Sequence, residues 1–349
     1  MGIATGIGSS IVPIYLTEIP PIHLRGAFGS LQQFTFVVAI LISQILGLPY
    51  IFGSDELWPW VFGFTFIPIA LQLIILPLCP ESPKFELIVK KDVKKAEINL
   101  MKLRTSSDVK AELYQLIAEA EHTSDVVQVS IPQLFNNTYL HRTILAIVLM
   151  CSLNFCGINA VYFYSSSIFE KAGLSYNVSL YATLGVSVIN IIQTSISSKL
   201  VDQPKVGRRI LQIIGLGGTL ISNLLLVGSM SLTKYSSNNT LQKVGSCGSI
   251  LFMILLVVSY ATGPGPIPWF YVSEIFPTHA RGAASALGGA FCLFSGFLVG
   301  IVFSPLEDVI GQFSFLVFAC IISCLFVYIY KNMVETKGKT VEEVEMKCK

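Results

Sequence analysis

The sequence predicts an all-α membrane protein, and two observations carry that prediction. The chain is 53% hydrophobic and only 13% charged, with a mean hydropathy of +0.68, far more apolar than a soluble domain. It also repeats itself. Tyr15-Leu-Thr-Glu-Ile-Pro-Pro-Ile-His-Leu-Arg-Gly-Ala27 lies without a gap over Tyr271-Val-Ser-Glu-Ile-Phe-Pro-Thr-His-Ala-Arg-Gly-Ala283, sharing Tyr, Glu, Ile, Pro, His, Arg, Gly and Ala. An apolar helix that ends twice in the same charged turn points to a transporter assembled from two related helical halves.

Taken in order, residues 1 to 17 are apolar and just long enough to span a bilayer. Further apolar stretches of spanning length lie at about 28–48, 58–79, 143–164, 178–201, 210–232, 247–272, 283–303 and 313–330. These predict about nine helices with the lipid bilayer as their partner. Between them, residues 81–141 form the one polar insertion; Val89 to Ala120 carries Lys, Glu and Leu at helical spacing and is expected to be a helical linker between two bundles. Placing the Glu18–Arg25 turn in the cytosol leaves only Lys171, Lys234 and Lys243 of the 23 basic residues outside, the asymmetry expected of a multi-pass protein with cytosolic linker and C-terminus. Asn177 and Asn238 then head exterior glycosylation sequons, and Asn136 an interior one.

Other classes fit poorly. A net charge of +2 gives no reason to expect a nucleic-acid partner. The eight cysteines, mostly inside apolar stretches without a paired CxxC, are read as small buried hydrophobes. Gly338-Lys-Thr340 has the ending of a phosphate loop, but Met333 stands where the leading glycine belongs. His23, His122, His141 and His279 show no ligand spacing. No catalytic constellation, metal or cofactor is expected.

Several motifs together resemble the facilitative glucose transporters, the sugar porter branch of the major facilitator superfamily. They are Pro80-Glu-Ser-Pro-Lys84, Gly157-Ile-Asn-Ala160, Gly207-Arg-Arg209, Gly263-Pro-Gly-Pro-Ile-Pro-Trp269 and Glu335-Thr-Lys-Gly-Lys-Thr340, in order and at matching helix spacing from residue 3 to the tail. The resemblance implies a major facilitator bundle with about nine of twelve transmembrane helices present. Residues 1–80 then correspond to family helices four to six, 81–141 to the linker, 142–333 to the C-terminal half and 334–349 to a cytosolic tail. Two helices follow each copy of the repeat, whereas three precede only the second, so the chain is expected to be N-terminally truncated. The activity implied is facilitated diffusion of a hexose, glucose by preference, at the plasma membrane. The alternatives are a non-transporting or retargeted relative acting as sugar sensor or modulator of a full-length carrier, and a proton-coupled sugar symporter fragment. No acid lies in the middle of a span, which favours uniport.

Two sets of residues are candidates for that function. Glu18, Arg25, Glu274 and Arg281 sit at the ends of helices that the repeat makes equivalent, and Arg208 and Arg209 are expected partners of Glu274. Such pairs suit a cytosolic gate that holds one of two states. The family pattern places two residues between an acid and Gly-Arg-Arg, whereas Gln203-Pro-Lys-Val206 adds two, so the register of this pair is expected to shift. Gly263-Pro-Gly-Pro-Ile-Pro268 cannot continue a helix, and a break in lipid persists only against protein or a cavity, which puts Trp269 beside a cleft. Gln33 and Gln44 share one helix face, as do Ser187, Asn190 and Thr194. The resemblance gives sugar contact to Gln33, Asn159, Asn190 and Trp269. It also marks departures: Leu153-Asn154 where the family has Gln-Gln, Ala261 for a Glu, and Cys292-Leu293 and Gly296 for Asn-Trp and Asn. Each lost partner for a sugar hydroxyl costs about 1–3 kcal/mol in a dry site.

Overall fold

The computed structural model describes residues 2–21, 24–105, 108–124, 128–171, 173–203 and 206–337. The repeated turn closes α1 (Gly2–Glu18) and opens α2 (Arg25–Leu46). Next come α3 (Trp58–Gly63) and α4 (Phe66–Ile75), then three short helices, α5 (Pro83–Ile88), α6 (Val93–Arg104) and α7 (Lys110–Ser124). The remaining bundle holds α8 (Asn137–Phe155), α9 (Ile158–Lys171), α10 (Tyr176–Leu200), α11 (Arg208–Tyr235), α12 (Asn239–Thr262), α13 (Ile267–Ile275), α14 (Thr278–Ile310) and α15 (Ser314–Asn332). Among the described residues, seven helical stretches are long and apolar enough to cross a membrane. One of them, 278–332, contains both α14 and α15, and α1, at 17 residues, falls just below that length. The nine expected apolar stretches are therefore all helical.

Three of those stretches are broken where the chain cannot hold a straight helix. Gly157 takes a φ of +82° between α8 and α9, a left-handed conformation that suits glycine. The Gly263–Pro266 turn separates α12 from α13, with the Ile267 amide donating to the Gly263 carbonyl. Between α3 and α4 the chain loosens at residues 64–65. The predicted linker helix is also interrupted: Asp92 caps α6 by accepting from the Lys95 amide at 3.1 Å, and Thr105 ends it at a φ of +49°. These short helices still fold over a small core of Leu87, Ala96, Leu100, Val109 and Leu113.

Small residues bring α11 and α12 together. A Cβ on Gly215 would lie 2.2 Å from Pro264 Cδ, one on Gly263 2.2 Å from the Leu211 carbonyl oxygen, and one on Gly218 2.4 Å from Ser259 Oγ. Such close backbone approach is how helices associate in lipid, where no hydrophobic gain separates one apolar neighbour from another. The cysteine expectation is corrected for part of the set. Cys156 and Cys292 are buried, but Cys79, Cys247, Cys320 and Cys324 are exposed. In a bilayer an exposed apolar side chain faces lipid, so periodicity alone did not separate core from membrane-facing positions.

Candidate functional site

Polar side chains gather at two levels of the bundle, and the more highly charged level holds both copies of the repeated turn. There Arg281 Nη1 lies 3.6 Å from Glu18 Oε1, and Ser82 Oγ donates to Glu18 Oε2 at 2.6 Å. The symmetric counterpart of this pair would be Arg25 with Glu274. The structure breaks that symmetry. Arg25 forms no ion pair with a described residue and its Nε is buried without a hydrogen bond. Glu274 instead lies 3.3 Å from Arg208 Nη2 and accepts from Thr336 Oγ1 at 2.5 Å.

Arg208 reaches a second acid, Asp202, at 3.4 Å, so the longer Asp202–Gly207 connection still delivers that carboxylate. Asp202 Oδ2 in turn accepts from the Ala27 amide at 2.7 Å, tying the end of α10 to the first turn of α2. Arg209, expected beside Glu274, turns the other way: it donates to the Tyr330 carbonyl at 2.8 Å and sits over the Tyr330 ring. Pro204 and Lys205, with His23 and Gly338–Thr340, lie outside the described residues.

Glu335 explains why α11 can begin on two arginines. The helix has no acid in its first turn and no side-chain cap at Gly207, leaving amides that need an acceptor. Glu335 supplies both oxygens, accepting from the Arg208 and Arg209 amides at 3.0 and 3.1 Å. Gly207 makes room, since a Cβ there would fall 1.9 Å from Glu335 Oε2. The tail is held further by Tyr271, whose hydroxyl donates to the Val334 carbonyl at 2.7 Å. Burial and the nearby Arg208 push the Lys337 ammonium below the usual lysine range, against the opposing pull of Asp202 and Glu335. Sequence reasoning missed Ser82, Glu335 and Thr336 as partners of this cluster; the bare N-terminus of α11 was the signal that an acid had to arrive from elsewhere.

The second level lies further along the helices. Trp269 Nε1 donates to Gln33 Oε1 at 3.3 Å across α13 and α2. Gln44, on the same face as Gln33, accepts from Ser187 at 2.6 Å. Asn190 is fully buried and donates to the Tyr162 hydroxyl, while Thr194 donates to Asn190 at 3.2 Å. Asn159 donates to Asn154 Oδ1 at 2.7 Å, and Asn154 donates to the Cys292 carbonyl and Ser295 Oγ at 2.7 and 2.9 Å. Of the four residues assigned to sugar contact, Gln33 and Trp269 touch each other, whereas Asn159 and Asn190 bond to other side chains. Two departures from the family pattern shape this level: Cys292 Sγ accepts from Asn154 Nδ2 at 3.6 Å, and a Cβ on Gly296 would stand 3.3 Å from Asn154 Oδ1.

An all-helical membrane bundle with a duplicated charged turn, paired across helices that the repeat relates, defines the class of multi-helix membrane transporters. Within that class, the chain belongs to the sugar transporter family: the family model described as "Sugar (and other) transporter" matches residues 1–347. It is 41% identical over 345 residues to facilitated glucose transporter protein 1 of Caenorhabditis elegans, covering 99% of this chain and 67% of that protein. It is 39% identical to solute carrier family 2, facilitated glucose transporter member 3 of Mus musculus, covering 99% and 68%. Among solved structures it is similar to a double-tryptophan variant of XylE, with a TM-score of 0.83, 26% identity and coverage of 100% and 72%. The inward-open form of the xylose transporter XylE gives a TM-score of 0.65, with 28% identity and coverage of 96% and 68%. The chain thus spans about two thirds of the length of the curated relatives it matches.

Proposed function

We propose that the protein carries a hexose, glucose by preference, by facilitated diffusion across the plasma membrane, with the 81–141 linker and the tail in the cytosol. Residues 1–80 and 142–333 act as two halves that rock against each other. Glu18, Arg25, Arg208, Arg209, Glu274 and Arg281 form the cytosolic gate, with Asp202 added to it. Gln33, Asn159, Asn190 and Trp269 meet the sugar. The observation that carries this reading is the 3.6 Å Glu18–Arg281 pair, which joins the two copies of the repeated turn. Opening the cleft toward the linker must separate that pair and the Asp202–Ala27 bond, so both stabilise the closed gate. Similarity to relatives named as facilitated glucose transporters supports the substrate class.

Uptake of labelled glucose and fructose into vesicles carrying the protein tests this. Saturable glucose uptake unaffected by a protonophore is expected. Uptake that collapses with the proton gradient would replace uniport with symport, and absence of saturable uptake would favour the retargeted or non-transporting reading.

A further inference from the structure

The seam between α2 and α10 joins residues 1–80 to residues 142–333 by four polar contacts. The Ala27 amide donates to Asp202 Oδ2 at 2.7 Å, and the Ser30 and Ser198 hydroxyls meet at 2.7 Å. Further along, Ser187 donates to Gln44 at 2.6 Å, and the Tyr50 hydroxyl donates to that of Tyr181 at 2.6 Å. Each step forward from Ala27 to Tyr50 is matched by a step back from Asp202 to Tyr181, so the two segments run antiparallel and stay in register. From Tyr181 to Asp202 the seam covers about 30 Å at 1.5 Å per residue, the thickness of the hydrocarbon core of a bilayer. One end therefore lies at the charged cluster and the other at the opposite face.

The two ends are built differently. At the charged cluster the helices approach closely: a Cβ on Gly26 would fall 2.4 Å from Asp202 Oδ1 and 2.6 Å from Val201 Cγ1. At the opposite face the tips of two long side chains bridge the seam, with Tyr50 61% and Tyr181 57% exposed. Parting the first end means unpacking close helices. Parting the second exchanges one hydroxyl bond for water, a small net change. We propose that Tyr50 and Tyr181 form the clasp that closes the cleft at the face away from the linker, the counterpart of the charged gate. The inference rests on reading the two segments as halves that rock. The cleft opens at that face when the tyrosine pair parts while Asp202 keeps its hold on Ala27; opening toward the linker reverses the two. Both tyrosines are positioning residues, acting on the balance between states and not on the sugar.

Spin labels at the exposed positions Asp55 and Asn177 report this face, and labels at the exposed Leu24 and Lys199 report the other. Distances are read by pulsed electron spin resonance on the full chain with its own cysteines replaced by serine. Tyr50→Phe and Tyr181→Phe should each raise the long-distance fraction of the first pair about threefold, the scale of one weak hydrogen bond, and leave the second pair closed. The double variant should do no more than either single one, because all three remove the same bond. Thermal unfolding identifies a labelled chain that fails to fold; amide exchange of residues 50–53 and 176–181 in the otherwise unaltered chain then gives the same comparison. Glucose uptake by the unaltered protein is measured alongside, and its absence with the distance response intact would retire the transport reading and support the clasp. Distances or exchange unchanged in both single variants, or effects that add in the double, would overturn the proposal.

Discussion

Arg208 is shared by Glu274 and Asp202 while its own backbone amide is taken by Glu335. Its side chain is only 5% exposed, so truncation would leave the buried Glu274 and the partly buried Asp202 without its guanidinium. Arg208→Ala is expected to cost about 3–5 kcal/mol, the scale of breaking a buried pair by removing one partner, read as a lowered thermal midpoint. Glu274→Gln removes one charge but keeps an oxygen for Thr336, and should cost less. At the other polar level, Gln33→Leu strands Trp269 Nε1 and removes a proposed hydroxyl partner; a KM for glucose raised about tenfold, or about 1.4 kcal/mol, is expected from uptake curves. The pairing of Glu274 with Arg208 was legible in the sequence, because a duplicated acid needs a base nearby. The choice between Arg208 and Arg209 was not: consecutive helix residues point about 100° apart, and the packing of α11 between α13 and α15 turns Arg208 to Glu274 and Arg209 to Tyr330.

Helices and the Gly263–Pro266 break were legible, since apolar length is counted directly and proline acts locally, whereas the breaks at Gly157 and at residues 64–65 were not. The α12–α13 turn lies at the predicted Gly-Pro-Gly-Pro run, and its glycines also set helix packing. Gly215→Ala would drive a Cβ to 2.2 Å from Pro264 Cδ and 2.8 Å from the Ser259 carbonyl oxygen. It is expected to destabilise by about 1–3 kcal/mol. Gly228→Ala, in the same helix with open space around it, should be neutral or stabilising by up to about 1 kcal/mol. Thermal unfolding of the two variants side by side separates packing from propensity. The linker was less legible: Lys, Glu and Leu spacing continued across Asp92 and Thr105, although Asp92 is an N-cap and Thr105 a left-handed stop. Hydrogen bonds from the Lys95 amide hold the Asp92 carboxyl below its usual range. The cap therefore contributes fully above the ordinary aspartate value and is lost as pH falls through the lowered one. Asp92→Ala should speed amide exchange in α6 at neutral pH, with the difference vanishing in acid.

At the scale of the molecule, the repeat revealed two related charged turns but not how they meet. Simple symmetry pairs Glu18 with Arg281 and Arg25 with Glu274. Only the first is made, because Arg208 and the tail residue Thr336 occupy Glu274. A tail held on Glu274 and on the N-terminus of α11 joins the proposed gate to a segment the repeat does not contain. Opening must then release Thr336 from Glu274 or carry the tail along with α13. The Glu18–Arg281 contact remains the most direct link between the two copies, and exchanging its charges tests its role. Glu18→Arg and Arg281→Glu alone place like charges together and are each expected to slow saturable glucose uptake about tenfold, about 1.4 kcal/mol. The double exchange, measured in the same vesicles, should recover most of that loss through the coupling of the two sites. An exchanged pair no faster than either single variant would contradict a gate held by attraction between these two residues.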